Sequence, residues 1–111
     1  MANNYAFVIG NSTYLNSKEF ANIPYCSNDA NEVFKVLCED ENSIFDKDKS
    51  VLKINISSLE LQQSLNTFFQ PIKPDDLVLF YFAGHGRVLR SKSYHLIMKD
   101  SLINNRQLAN S

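Results

Sequence analysis

The sequence lacks tryptophan and contains only two cysteines, three glycines and three prolines among its 111 residues. Two cysteines are too few for the disulfide framework of a small secreted domain. The amino-terminal residues also lack the charged and apolar regions of a secretory signal. We therefore expect the reducing cytoplasm as the compartment, and we find no repeat, low-complexity tract or long linker in the sequence.

The sequence also has no excess of one charge and no long apolar run. Its net charge is −1, which gives no basic field for binding nucleic acid. The longest apolar run is far shorter than the ~20 residues that a membrane-spanning helix needs. We therefore expect neither a nucleic acid nor a membrane as a partner. The hydrophobic content of 44% and the length fit one small globular domain over residues 1–111.

The most informative stretch is the run of seven apolar residues at positions 77–83, which ends on Gly84-His85-Gly86. Such a run predicts a strand that is buried on both faces, as in a parallel sheet. In open α/β sheets, ligands and reactive groups lie at the carboxyl ends of the strands. A titratable side chain on a permissive Gly-x-Gly turn at this position is a catalytic candidate.

The remaining pattern predicts a β-α-β-α-β order, and hence parallel strands with right-handed crossovers. Two further strands are expected at residues 5–9 and 51–54, with one helix over the apolar positions from Ala30 to Cys38 and another after a capping box at 57–60. Asp29 or the pair Ser27-Asn28 is expected to cap the first helix. After His85 we expect a polar loop at 87–93, a short strand outside the main sheet at 94–98, and a polar tail with weak helical character.

A central first strand gives the sheet order 2-1-3, with the switch point between strands one and three. This topology brings the loop after Gly10, the start of the first helix and His85 around one crevice.

Four segments, in the order in which they occur along the chain, resemble the caspase superfamily of cysteine peptidases, in its metacaspase, paracaspase or prokaryotic caspase-like branch. These are residues 5–14, with an Ile-Gly-Asn-x-x-Tyr turn, residues 23–30, which open the first helix, residues 80–86, which carry the histidine, and residues 94–100. The resemblance implies a caspase-like three-layer α/β sandwich with a mostly parallel sheet. It also implies that residues 1–111 are the amino-terminal, large-subunit-like part of one peptidase domain, incomplete without the strand that bears the cysteine.

The resemblance implies roles for three residues. His85 would be the general acid/base, and the Gly86 backbone N–H would contribute to an oxyanion hole. Asp29 would bind a basic substrate side chain, which predicts cleavage after arginine or lysine. Caspases that cleave after aspartate carry an arginine in the segment that corresponds to residues 23–28, and none occurs here. The alternatives are a histidine that ends a strand, a turn glycine and a carboxylate at a helix start.

The nucleophilic cysteine is the missing part of this pattern. In caspases the histidine precedes the cysteine by about 50 residues, whereas Cys26 and Cys38 both precede His85. We therefore expect packed thiols at both positions, with the nucleophile supplied by a continuation of the chain or by a second processed chain. The alternative is a catalytically inactive caspase-like regulatory or dimerisation module. A flavodoxin-like or receiver-type domain would leave the histidine turn unexplained.

No cofactor is expected for this chemistry. Some metacaspases respond to calcium through acidic clusters, but the acidic residues between positions 39 and 48 are more simply a solvated connector. Cys26, His85 and His95 match no standard zinc spacing, and no phosphate loop occurs. The segment 87–90, which begins and ends with arginine, is either a processing site for an arginine-directed peptidase or a charged surface loop.

Overall fold

The computed structural model describes residues 2–16, 18–88, 94–104 and 107–109. The elements in chain order are β1 (Asn4–Gly10), α1 (Cys26–Phe34), β2 (Val51–Ile54), α2 (Ser58–Phe69), β3 (Leu77–Ala83), β4 (Gly86–Val88), β5 (Tyr94–Leu96), β6 (Leu102–Asn104) and β7 (Gln107–Ala109). A π-helical turn at Lys35–Glu39 continues α1, and a 3₁₀ turn at Lys47–Lys49 precedes β2. No helix in these ranges has the length and apolarity needed to cross a membrane.

The main sheet has the order β2-β1-β3, and both pairings are parallel. Phe7 of β1 lies opposite Val51 of β2 and Phe80 of β3. The predicted strand order 2-1-3 is therefore confirmed. Residues 5–9 of β1 are all buried, because β1 is central in the sheet and a helix covers each of its faces.

Alternate residues of β1 pack against opposite helices, as the two-residue period of a strand requires. One cluster contains Tyr5, Phe7 and Ile9 with Phe68 of α2. The other contains Ala6 and Val8 with Ala30, Phe34 and Cys38 of the α1 region. The Phe7 ring lies 5.1 Å from Phe68 and 5.6 Å from Phe80, measured between ring centroids. The predicted three-layer arrangement, helix on sheet on helix, is thus confirmed.

Gly10 allows α1 to start close to the carboxyl end of β1. A Cβ atom at this position would lie 2.5 Å from the Ala30 Cβ and 2.6 Å from the Cys26 carbonyl oxygen. Both distances are shorter than any van der Waals contact, so only glycine fits here. The close approach fixes the loop between β1 and α1 at the carboxyl edge of the sheet.

The two helices begin in different ways. Ser57 caps α2, since its Oγ accepts the Glu60 N–H at 3.2 Å, which confirms the predicted capping box. The prediction for α1 was wrong, because the helix already begins at Cys26 and residues 27–29 lie inside its first turn. The Ser27 N–H is instead satisfied by Ser12 Oγ, at 2.8 Å, from the loop that follows β1.

Three other predictions are corrected by the structure. Residues 86–88 form β4, which pairs antiparallel with β5, although a polar loop was expected from residue 87. The tail contains the antiparallel pair β6 and β7 instead of helix. Strand β3 is not buried on both faces, because within the described chain it lies at the sheet edge and pairs only with β1. Leu77, Leu79 and Phe80 are accordingly 49%, 37% and 45% exposed.

Asn55, which follows β2, is expected to be a strong determinant of stability. Its φ of 53° is left-handed, and its Oδ1 accepts the N–H groups of Ser12 at 2.8 Å and Thr13 at 3.1 Å. Asn55→Ala should lower the free energy of unfolding by about 2 kcal/mol, because alanine tolerates this φ poorly and both bonds are lost. Urea denaturation measures the change. Asn66→Ala, on the exposed face of α2, is the control and should leave the midpoint unchanged; equal midpoints for both variants would contradict the role of Asn55.

Candidate active site

The carboxyl ends of β1 and β3 meet at one point, and His85 lies directly beyond it. The Asn11 N–H donates to the Ala83 carbonyl at 2.8 Å, so the pairing of the two strands continues past the last residue of β1. The loop after Gly10 and the His85 turn therefore lie side by side at the switch point that the 2-1-3 order predicted between strands one and three.

The main chain of His85 is held by hydrogen bonds on both sides. Its N–H donates to the Tyr14 hydroxyl at 2.9 Å, and that hydroxyl donates to the Asn11 carbonyl at 2.9 Å. The His85 carbonyl accepts the Ile97 N–H at 3.0 Å. Hydrogen bonds thus connect His85 to the loop after β1 and to the segment that follows β5.

One ring nitrogen of His85 is hydrogen-bonded, and the other is available to accept a proton. Nε2 lies 2.6 Å from the Ala21 carbonyl oxygen. A carbonyl oxygen can only accept a hydrogen bond, so we assign the proton to Nε2. In the neutral ring Nδ1 then carries the free lone pair, which makes it the atom that can accept a proton. The ring packs between Tyr14 at 4.9 Å, edge to face, and Phe20 at 5.9 Å.

The loop that supplies the Ala21 carbonyl is itself fastened next to His85. Phe20 is fully buried, and the Arg87 guanidinium lies 5.0 Å from the centroid of its ring. Arg87 Nη2 also donates to the Glu19 carbonyl at 3.1 Å. Arg87 therefore has a structural contact of its own in β4. The predicted processing site at 87–90 remains a prediction, since residues 89 and 90 lie outside the described ranges.

The turn around His85 does not use glycine for its backbone freedom. None of the three glycines has a positive φ, so the expected permissive turn was wrong. Gly84 is required for space, because a Cβ atom there would lie 2.8 Å from the Tyr14 hydroxyl oxygen and 3.0 Å from Phe82. The glycine allows the tyrosine hydroxyl to reach the main chain of the neighbouring histidine.

Gly86 is the first residue of β4 and lies opposite Leu96 of β5. The bond from the Ile97 N–H to the His85 carbonyl identifies His85 and Ile97 as a hydrogen-bonded pair. Because such pairs alternate with non-hydrogen-bonded pairs in antiparallel strands, the Gly86 N–H points away from β5. This amide is thus directed out of the ladder, immediately beyond His85.

Asp29 lies in the first turn of α1 and is exposed. It takes part in none of the ion pairs among the described residues. Its charge contributes to the environment of Cys26, where burial first and Asp29 second raise the pKa of the thiol. Sequence reasoning placed Asp29 at the start of this helix, and the structure leaves its carboxylate accessible to a charged ligand.

Both cysteines are free and buried. Cys26 is the first residue of α1, ahead of the positions from Ala30 onward over which this helix was expected. Burial raises the pKa of Cys26 and is also the largest cause of the raised pKa of Cys38. A raised pKa lowers the thiolate fraction at neutral pH, and the thiolate is the nucleophilic form. Both cysteines are therefore buried, packed thiols.

Asn11 is the residue of this region that sequence reasoning undervalued. Its side chain is fully buried; Oδ1 accepts the Ile56 N–H at 3.1 Å, and Nδ2 donates to the Ile97 carbonyl at 3.3 Å. It therefore joins the β1 loop to the segments before α2 and after β5. The available signal in the sequence is a polar residue directly after a buried strand, within the Ile-Gly-Asn-x-x-Tyr turn.

Among the residues that the structure describes, no three histidine, cysteine, aspartate or glutamate side chains are grouped as metal ligands. A groove of about 540 Å³ lies beside β2 and α2, lined by residues such as Tyr5, Val51 and Phe68. Neither histidine lines this groove.

The family comparison agrees with the geometry. A family model described as the caspase domain matches residues 3–110, which is nearly the whole chain. The chain belongs to the caspase-domain family. The resemblance seen in the sequence is thereby confirmed at the level of this peptidase family, whose substrates are proteins. Searches of curated proteins and of solved structures found no match for this caspase-domain chain.

Proposed function

We propose that this caspase-domain chain is the histidine-bearing part of a cysteine endopeptidase that cleaves after arginine or lysine. His85 would act as general acid/base, and the nucleophilic cysteine would come from sequence outside residues 1–111. The observation that carries the proposal is the 2.6 Å contact between His85 Nε2 and the Ala21 carbonyl. This contact leaves Nδ1 as the proton acceptor at the carboxyl end of β3.

The proposed reaction begins with transfer of the cysteine thiol proton to His85 Nδ1. The thiolate then attacks the scissile carbonyl carbon, and the charge on the carbonyl oxygen is stabilised by the Gly86 N–H. The carbon–nitrogen bond breaks as the leaving amine takes the proton from Nδ1. A water molecule, deprotonated by the same nitrogen, then releases the acyl group and restores the thiol. The Ala21 carbonyl accepts Nε2–H throughout, and it does so more strongly when the ring is cationic.

The edge of β3 supports the part of the proposal that concerns the missing nucleophile. In the described chain this strand pairs only with β1, and Leu77, Leu79 and Phe80 are exposed on it. An apolar strand with an unpaired edge is prone to pair with a further strand. A cysteine-bearing strand, from a continuation of this polypeptide or from a second processed chain, would cover this edge and end beside His85.

The proposed mechanism needs no cofactor, and the two free thiols favour a reducing compartment such as the cytoplasm. Calcium dependence remains a prediction from the family resemblance alone.

Asp29 is proposed to bind the basic side chain of the substrate. Asp29→Asn keeps the shape of the side chain but removes its charge, so kcat/KM for arginyl peptides should fall by about 10–100-fold, the range for a hydrogen bond to a charged group. Steady-state hydrolysis of an arginyl peptide by the product of the full gene measures this. Glu32→Gln, an exposed change on the same helix, is the matched control. An equal effect of the two variants would remove Asp29 from the binding site.

A second candidate is a catalytically inactive regulatory or dimerisation module. It is favoured by the burial of both cysteines and by the open edge of β3, which could pair with another chain. The two candidates differ in one measurable property. A regulatory module would bind a partner through β3 without hydrolysing any arginyl or lysyl peptide, whereas the peptidase would lose its hydrolysis when His85 is replaced.

A further inference from the structure

Tyr14 contacts His85 through both its ring and its hydroxyl. The side chain is buried, with 6% of the residue exposed, and its ring lies edge to face with the imidazole. Its hydroxyl oxygen accepts the His85 N–H at 2.9 Å and donates its proton to the Asn11 carbonyl at 2.9 Å. A hydroxyl has one proton to donate and lone pairs to accept, so both bonds form at once.

The surrounding residues are arranged so that this hydroxyl can reach the main chain. Gly84 provides the space, because a Cβ atom there would lie 2.8 Å from the Tyr14 oxygen. Asn11, the acceptor of the Tyr14 proton, is itself fixed through its own N–H to Ala83. Burial raises the pKa of Tyr14, so the hydroxyl keeps the proton that it donates across the neutral range.

From this geometry we propose that Tyr14 is a positioning residue for His85. Its hydroxyl fixes the His85 main chain and its ring fixes one side of the imidazole, so that Nε2 meets the Ala21 carbonyl and Nδ1 faces the substrate. The inference rests on the proposed function in one respect, the claim that this orientation of the His85 imidazole serves catalysis. The orientation of the imidazole can be measured by a method that does not depend on catalytic activity.

The test is nuclear magnetic resonance of the ¹⁵N-labelled product of the full gene, comparing the natural sequence with Tyr14→Phe and Tyr5→Phe. Tyr5 is the matched control, because it is a buried tyrosine on β1 whose ring packs on Phe68 of α2. In the natural sequence we expect a resolved Nε2–H resonance of His85, since its bond to Ala21 slows exchange with water. Tyr14→Phe should lose this resonance and speed exchange of the His85 amide by about tenfold, the equilibrium effect of one hydrogen bond. Tyr5→Phe should do neither.

A second arm measures the activity of the same full gene product. Tyr14→Phe should lower kcat for an arginyl peptide by about tenfold and leave KM within twofold, because the hydroxyl touches the histidine rather than the substrate. An unaltered His85 resonance and amide in Tyr14→Phe would overturn the positioning role. If the resonance changes but the natural gene product hydrolyses nothing, the proposed function fails while the positioning of His85 stands.

Tyr14→Phe is a small change, but loss of the buried bond could unfold the chain. In that case Gly84→Ala is the second variant, since it retains the tyrosine and places a methyl group 2.8 Å from its hydroxyl. The same loss of the Nε2–H resonance is expected. A folded Gly84→Ala chain with an unaltered resonance would contradict the proposal.

Discussion

Replacing His85 with alanine should lower hydrolysis of an arginyl peptide by about 10²–10⁴-fold, the usual contribution of a general acid/base. In the proposed mechanism the imidazole takes the thiol proton and returns it to the leaving amine, and the alanine variant has no substitute for it. Steady-state kinetics of the full gene product measures the effect. Circular dichroism should show an unchanged fold, because the histidine side chain is only half-buried.

The chain offers a matched control in its second histidine. His95 lies in β5 opposite Arg87 and is also half-buried. His95→Ala should retain activity within a few-fold, so the comparison separates loss of the catalytic base from loss of a histidine in general. Comparable losses in the two variants, or full activity of His85→Ala, would show that His85 is not the base.

The second large effect is expected on stability, from Asn11→Ala. The substitution would leave the Ile56 N–H and the Ile97 carbonyl without their partner in the protein interior. Each unsatisfied buried group costs about 1–3 kcal/mol, so the loss of two should be about 2–6 kcal/mol. This is a large share of the 5–15 kcal/mol by which a typical domain is stable.

Urea denaturation followed by circular dichroism measures the Asn11 effect. Asn28→Ala is the control, because Asn28 is exposed on α1 and such surface changes usually alter stability by no more than about 0.5 kcal/mol. If Asn11→Ala unfolded at the same urea concentration as the natural sequence, the buried amide would not link the three segments as described.

The central elements of the fold could be predicted from the sequence because local patterns determine them. The apolar run of β1 and the capping box of α2 each indicated an element, and the 2-1-3 order followed from topology rules. The start of α1 and the existence of β4 could not be predicted in the same way. They depend on tertiary partners, since Ser12 bonds the first turn of α1 and β5 supplies the ladder for β4.

The candidate site likewise contains residues that the sequence pattern identifies and contacts that only the fold reveals. His85 and Gly86 belong to a recognisable segment, and the structure places them at the predicted edge of the sheet. The group that orients the imidazole is the Ala21 backbone carbonyl, which any residue type provides, so no sequence pattern could identify it. Tyr14 belonged to a recognised motif, but its bond to His85 spans 71 positions of the chain and required the fold to be seen.

The most direct test of the proposed peptidase is to locate its nucleophile chemically. A peptidyl-arginyl chloromethyl ketone forms a carbon–sulfur bond with a reactive thiolate and releases chloride. The full gene product would be treated with this reagent, digested and analysed by mass spectrometry, with the His85→Ala variant in parallel. We expect one labelled cysteine that is neither Cys26 nor Cys38, with labelling lost in the variant. Labelling of Cys26 or Cys38, or equal labelling in the variant, would contradict the proposal.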